Sequence, residues 1–184
     1  MYQNGPLVIK DLSLVIPPGQ KVGIVGRTGA GKSSLISSLF RISNICKGTI
    51  SINGFDLANT KLTDVRRSLS MIPQTPTLLT DTIRANVDPT LTISDEIIWS
   101  ALRQVQLEKF VRELPRKLDN ELEKSGENLS TGQKQLFCLA RALLKNTKIL
   151  LIDEATANVD PHTDKLIQET IRRRYLLRIK IALI

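Results

Sequence analysis

The chain holds 184 residues, 41% of them hydrophobic and 4% aromatic, which is the size and apolar content of one domain with a substantial buried core. No apolar run approaches the roughly 20 residues of a membrane-spanning helix, no signal peptide is read at its start, and no internal repeat or low-complexity block occurs. A membrane-spanning helix and a repeat architecture are thereby excluded, while the net charge of +8, five of whose excess positive charges are Arg172, Arg173, Arg174, Arg178 and Lys180, leaves two readings of the tail open: a segment drawn to polyanions or an anionic membrane surface, and a solvated basic face.

In chain order, the pattern predicts strands near 7–16 and 20–25, a glycine-rich turn, and an amphipathic helix over about 31–41. A strand follows near 48–53, with Gly48 to Gly54 forming part of a small antiparallel sheet. LSMIPQ, from residue 69, reads as a parallel strand ending at Gln74. Pro73, Pro76 and Pro89 then break the chain into loops before helical patterns over 94–113 and 130–145. Residues 149–152, Ile-Leu-Leu-Ile, are too few for a helix and do not alternate, so they read as a strand covered on both faces. A last helix runs from Pro161, a residue suited to a first helical turn, to Arg174. Cys46 and Cys138 lie within or beside apolar helical segments, as reduced core cysteines do.

Chemistry concentrates where the predicted strands end. Within GRTGAGKSS, residues 26–34, Gly26, Gly31, Lys32 and Ser33 fit GxxxxGK[ST] between a strand and a helix. Glycine lets backbone N–H groups approach phosphate oxygens and take up unusual dihedrals, and the following helix N-terminus favours an anion. The nucleotide-binding set is therefore Gly26, Arg27, Thr28, Gly29, Ala30, Gly31, Lys32, Ser33 and Ser34, with Lys32 reaching the terminal phosphates and the Ser33 hydroxyl ligating Mg²⁺. A buried strand that delivers Asp153 and Glu154 to its C-terminal edge supplies what is missing. Phosphate-bound Mg²⁺ needs hard oxygen ligands, assigned to Asp153, and phosphoryl transfer to water needs an oriented nucleophile, assigned to Glu154. Alone, such carboxylates read equally well as a solvated turn, and the capped, amphipathic LSTGQKQLFCLARALLK reads as a Ser or Thr N-cap.

Together, GRTGAGKSS, the glutamine of MIPQTP, LSTGQKQ and ILLIDEATANVD resemble, in order and spacing, the nucleotide-binding domain of ATP-binding cassette transporters. SLFRI, IPQTPTLLTDTIRANVDP, ELPRKLDNELEKSGENLS and DEATANVDPHTD are similar to the second cassette of multidrug resistance-associated subfamily C exporters. Thr131 and Lys134 depart from residues common in the family signature, whose serine and glycine are retained. The resemblance implies an α/β fold: a P-loop NTPase (RecA-like) core, a small antiparallel β subdomain over the nucleotide, and an inserted helical subdomain at about 77–140 that docks on transmembrane partners. It implies ATP and Mg²⁺ as ligands, with Gln74 sensing the γ-phosphate and the metal. Ser130, Gly132 and Gln133 would close over ATP held by a second cassette in a head-to-tail dimer, and Asp160 would lie in the loop joining the two sites. Tyr2 is a candidate for stacking on adenine, with an ordinary terminal tyrosine as the other reading.

By the same resemblance the function is ATP hydrolysis driving export of small molecules, organic anions or their conjugates, at the cytoplasmic face of a membrane, with no specific nucleic acid as partner. The alternatives are a regulatory module or fragment that binds ATP and hydrolyses it poorly, and a soluble cassette ATPase acting on ribosomes or DNA. Similarity covers 1–175 and weakens at 176–184, where LLRIKIALI departs from the family's strand and the family's γ-phosphate histidine falls just beyond Ile184. Loss of that central strand would expose the flank of the 149–152 strand. The one histidine, His162, reads as a surface residue at a helix start.

Overall fold

The structure is a computed structural model that describes residues 7–27, 29–122, 126–175 and 179–183. The chain divides into two compact units: Met1–Met71, Thr147–Asp153 and Leu177–Ile184 form the first, and Ile72–Asn146 with Glu154–Leu176 form the second.

The first unit is built around a sheet. Its strands are β1 (Lys21–Ile24), β4 (Leu69–Ile72), β5 (Ile149–Asp153) and β6 (Ile179–Leu183), in the order β1-β6-β5-β4. β6 pairs in parallel with both neighbours, Lys21 to Ile24 facing Lys180 to Leu183 on one side and Ile149 to Asp153 facing Ile179 to Leu183 on the other. The departing tail sequence therefore supplies the central strand that the sequence comparison expects to be lost, and the flank of β5 is covered. Apart from Lys180, which is also buried, its run IKIAL is β-branched or aliphatic, as in a strand covered on both faces. β2 (Ser51–Ile52) and β3 (Phe55–Asp56) make a separate antiparallel pair around the left-handed Asn53 and Gly54. α1 (Lys32–Leu39) and α2 (Leu62–Ser68) complete the unit. The core packs Ile36 of α1, Leu57, Val65 of α2, Leu69, Leu151, Ile181 and Leu183.

Three strand predictions change, one being the strand expected near 48–53, which is confined to Ser51–Ile52 because Gly48 and Asn53 turn the backbone left-handed on either side. Residues 7–16 form no strand, because Asp11 turns the backbone left-handed (φ 51°) and Leu12, Leu14 and Val15 stay exposed, leaving nothing to pair with or bury against. β4 stops at Ile72, short of the predicted end at Gln74, because Pro73 has no N–H to donate to a ladder. Cys46 is exposed rather than in the core, whereas Cys138 is buried.

The second unit is helical: α3 (Ile83–Val87), α4 (Asp95–Gln104), α5 (Glu108–Glu113), a 3₁₀ turn at Lys117–Asp119, α6 (Thr131–Lys145) and α7 (Pro161–Arg174). The helical block predicted over 94–113 is two helices, parted at Gln106, which sits in the left-handed region. α6 is the hub and packs against α3, α4 and α7. Of the apolar face that the sequence periodicity predicts, Leu136, Leu139, Ala140, Leu143 and Leu144, it buries the first four and Leu144 in part, and it buries Phe137, Cys138 and Ala142 besides. Burial on several faces marks it as a core helix. α7 begins at Pro161 and ends at Arg174, as predicted, and just beyond it the Tyr175 hydroxyl donates to the Ala142 carbonyl at 2.8 Å.

Candidate functional site

In the first unit, β1 hands the chain to the glycine-rich turn, and α1 starts behind Gly31, an N-cap that brings no side chain to its own helix. Gly29 and Gly31 have φ of 82° and 94°, where L residues are strained. At Gly31 there is also no room, since a Cβ would lie 2.9 Å from Val8 Cγ1, while at Gly29 a Cβ would meet nothing within 4 Å. At Gly29 the turn is therefore open, while at Gly26 it is lined by the Ala30 and Lys32 side chains. Lys32 curls back so that its Nζ donates to the Gly26 carbonyl. Ala30 N–H donates to Arg27 O at 3.0 Å, tightening the turn, and the Ser34 carbonyl accepts from Ser38 Oγ at 2.8 Å. From the other end of the sequence β5 delivers Asp153, which is 8% exposed, and the Ser33 hydroxyl donates to its Oδ1 at 3.2 Å. A hydroxyl and a carboxylate side by side are the hard oxygen donors that Mg²⁺ selects, and a metal that also takes phosphate oxygens needs only one or two protein ligands. The donor set fits the ion. Among the described residues no group of three or more His, Cys, Asp or Glu forms a metal cage.

In the second unit, Gln74 Nε2 donates to Glu154 Oε2 at 2.9 Å. Glu154 holds φ at 42°, an uncommon conformation for a non-glycine residue, so the carboxylates that follow one another in sequence leave the strand in different backbone regions. Ser130 caps α6 through a capping box: its Oγ accepts from Gln133 N–H at 3.1 Å, and Gln133 Oε1 accepts from Ser130 N–H at 2.9 Å. Asp160 caps α7, its Oδ1 accepting from the His162 and Thr163 N–H groups. The Thr163 side chain, with these amides, holds the Asp160 carboxyl below the usual carboxylate range. Gly132 brings the two helix starts together, since a Cβ there would lie 3.2 Å from Thr163 Oγ1 and 3.3 Å from Asp160 Oδ2. His162 is exposed. Tyr2 and Thr28 lie outside the described residues.

The motifs alone miss three polar residues. Gln135 and Asn86 are wholly buried, and Arg141 is half-buried with its guanidinium among carbonyl oxygens. Arg141 donates to Thr77 O at 2.7 Å, to Asn86 Oδ1 at 2.9 Å and to the Asn86 carbonyl. Burial pulls this guanidinium below its ordinary range. Asn86 in turn binds Leu79 N–H at 2.8 Å and the carbonyls of Leu79 and Thr82 at 3.0 Å, closing the loop that follows Gln74. The signal in the sequence is a glutamine and an arginine interrupting the apolar stripe of α6.

The chain matches the family described as ABC transporter over residues 9–157. It is 55% identical over 172 residues to ATP-binding cassette sub-family C member 4 of Mus musculus, a span covering 94% of this chain and 13% of that protein. It is 53% identical over 175 residues to ATP-binding cassette sub-family C member 3 of Homo sapiens, covering 95% of this chain and 12% of that protein. Its structure matches that of a bacterial Atm1-family ABC exporter with ATP bound at a TM-score of 0.91 and 34% identity, covering 100% of this chain and 32% of that one. The chain thus spans about an eighth of the curated relatives' length. No helix among the described residues is long and apolar enough to cross a membrane.

Proposed function

The chain belongs to the ABC transporter family and is similar over most of its length to sub-family C members; on that premise we propose that it binds ATP with Mg²⁺ and hydrolyses it to power export of small organic anions or their conjugates. The observation that carries this reading is the 3.2 Å contact between Ser33 and Asp153, which joins the glycine-rich turn to the carboxylate strand across 120 positions of sequence. Lys32, which donates to Gly26 O, would instead take the terminal phosphates, and backbone N–H groups of the glycine-rich turn would approach them. Ser33 and Asp153 would hold the metal, with Gln74 as its sensor by the family resemblance, and the metal when bound would neutralise charge on the transferring phosphoryl group. Glu154 accepts the proton of the attacking water, and the Gln74 carboxamide, its hydrogen-bond partner, orients that carboxylate. Ser130, Gly132 and Gln133 serve the nucleotide of a second cassette, Asp160 links the two sites, and residues 77–140 meet the transmembrane partner at the cytoplasmic face of the membrane.

Equilibrium binding of a fluorescent ATP analogue, with and without Mg²⁺, tests the binding half of this proposal. Lys32→Ala should weaken binding by at least about tenfold, the loss of one charge-assisted phosphate contact. Ser33→Ala should weaken it only when Mg²⁺ is present. Equal binding by the parent chain and Lys32→Ala would reject the reading.

A further inference from the structure

Gln135 stands on the buried face of α6, fully shielded from solvent. Its carboxamide nitrogen donates to two backbone carbonyls, Pro73 O at 2.8 Å and Ala155 O at 2.5 Å. Pro73 directly precedes Gln74, and Ala155 directly follows Glu154. One side chain thus grips the backbone beside each member of the pair joined by the 2.9 Å Gln74–Glu154 hydrogen bond. These are positions where the regular ladder has ended: Pro73 has no N–H, and Glu154 turns the chain left-handed. The other end of the amide, Oε1, is buried and accepts no hydrogen bond among the described residues. Turning the amide over would set its oxygen against two carbonyl oxygens, so the observed orientation is the bonding one. An apolar side chain of the same length would fill the space without a stranded acceptor. What it would lose is the two donations.

We propose that Gln135 is a positioning residue that fixes the backbone at Pro73 and Ala155, keeps Gln74 and Glu154 in register, and ties that pair to the helix whose first turn carries Ser130, Gly132 and Gln133. The proposal rests on the reading of Glu154 as the group that activates water. Arg141, two turns further along α6, holds the same loop downstream through Thr77 and Asn86, so the helix grips the segment after Gln74 at both its ends. A shift of α6 is thereby delivered to the Gln74–Glu154 pair through hydrogen bonds that Gln135 supplies.

The test compares the whole parent chain with Gln135→Met, which keeps the length of the side chain and removes its N–H groups. The kcat for Mg-ATP should fall at least about tenfold, the scale of a misplacement under 1 Å, with KM changed less than about twofold. Without nucleotide, amide hydrogen exchange should accelerate at 74–78 and 154–158 and keep the parent rate at 26–35. The exchange measurement needs no turnover, so a parent chain that hydrolyses nothing would reject the ATPase reading and leave the role of Gln135 to be decided by exchange. Gln135→Glu adds a titration, since the acid donates one O–H and the anion faces two carbonyl oxygens. Its kcat relative to the parent should decline as the pH rises, whereas the Gln135→Met ratio stays flat. Exchange unchanged at both segments, exchange accelerated uniformly along the chain, or a Gln135→Glu ratio independent of pH would overturn the proposal.

Discussion

Asp88 shows how a single buried carboxylate organises a loop. Burial alone pushes its pKa up, but the Thr90 hydroxyl and the N–H groups of Ile93, Thr90 and Thr92 outweigh that, and the net shift is downward from 3.8. A carboxyl held below its unfolded pKa contributes stability that is present above that value and lost as the pH falls through the folded one. Asp88→Asn, which turns an N–H₂ toward these donors, should destabilise the protein at neutral pH by about 2 kcal/mol. Urea unfolding at pH 7 and near pH 3 checks the sign, because the difference between parent and variant should shrink in acid. A difference that grows in acid would contradict the assignment. At this scale the sequence signal was local: a lysine and a hydroxyl carry their chemistry in their side chains, glycines in the backbone they leave open, and the structure brings Ser33 to Asp153. Gln135 and Asn86 were not, because their importance lies in which backbone carbonyls they meet, and that is settled only when residues 62 and 20 positions away from Gln135 are brought to it.

Elements were legible where local signals agreed. α7 has an Asp N-cap, Pro at its first position and three arginines in its last turn, each favouring the same boundaries. α6 has its capping box and a left-handed Asn146 at its end. Residues 7–16, LVIKDLSLVI, are rich in aliphatic and β-branched residues without those supports, and a strand is not a local structure: it exists only if another backbone satisfies its N–H and C=O groups. The reverse error occurred at 176–184. IKIAL departs from the family's sequence, yet any β-branched, apolar run can occupy a central parallel strand if its neighbours present matching edges. β6 sits between β1 and β5 and places Ile181 and Leu183 in the core. Deleting residues 176–184 should therefore leave two unpaired edges and a stripped core, producing an aggregating or molten chain. Light scattering and near-ultraviolet circular dichroism would show it; a soluble, cooperatively unfolding 1–175 chain would contradict the role given to β6.

Across the molecule, the covalent chain passes between two compact units at four bonds, one of them between Asp153 and Glu154, so the two carboxylates of one motif belong to different units. Asp153 closes β5 beside Ser33, and Glu154 opens the helical unit beside Gln74. In the proposed cycle Ser33 and Asp153 of the sheet unit would take the metal and Lys32 the phosphates, while Glu154 for the water, and Gln74, proposed for both the metal and Glu154, belong to the unit that also contains the signature helix. On that proposal Glu154 would have a role separable from binding, since the phosphate contacts would come from the glycine-rich turn and water activation from Glu154. The most direct measurement compares Mg-ATP binding and phosphate release in the parent chain and Glu154→Gln. The account predicts unchanged binding with phosphate release slowed by about 10² to 10⁴, the usual contribution of a general base. Phosphate release by Glu154→Gln at the parent rate would contradict it.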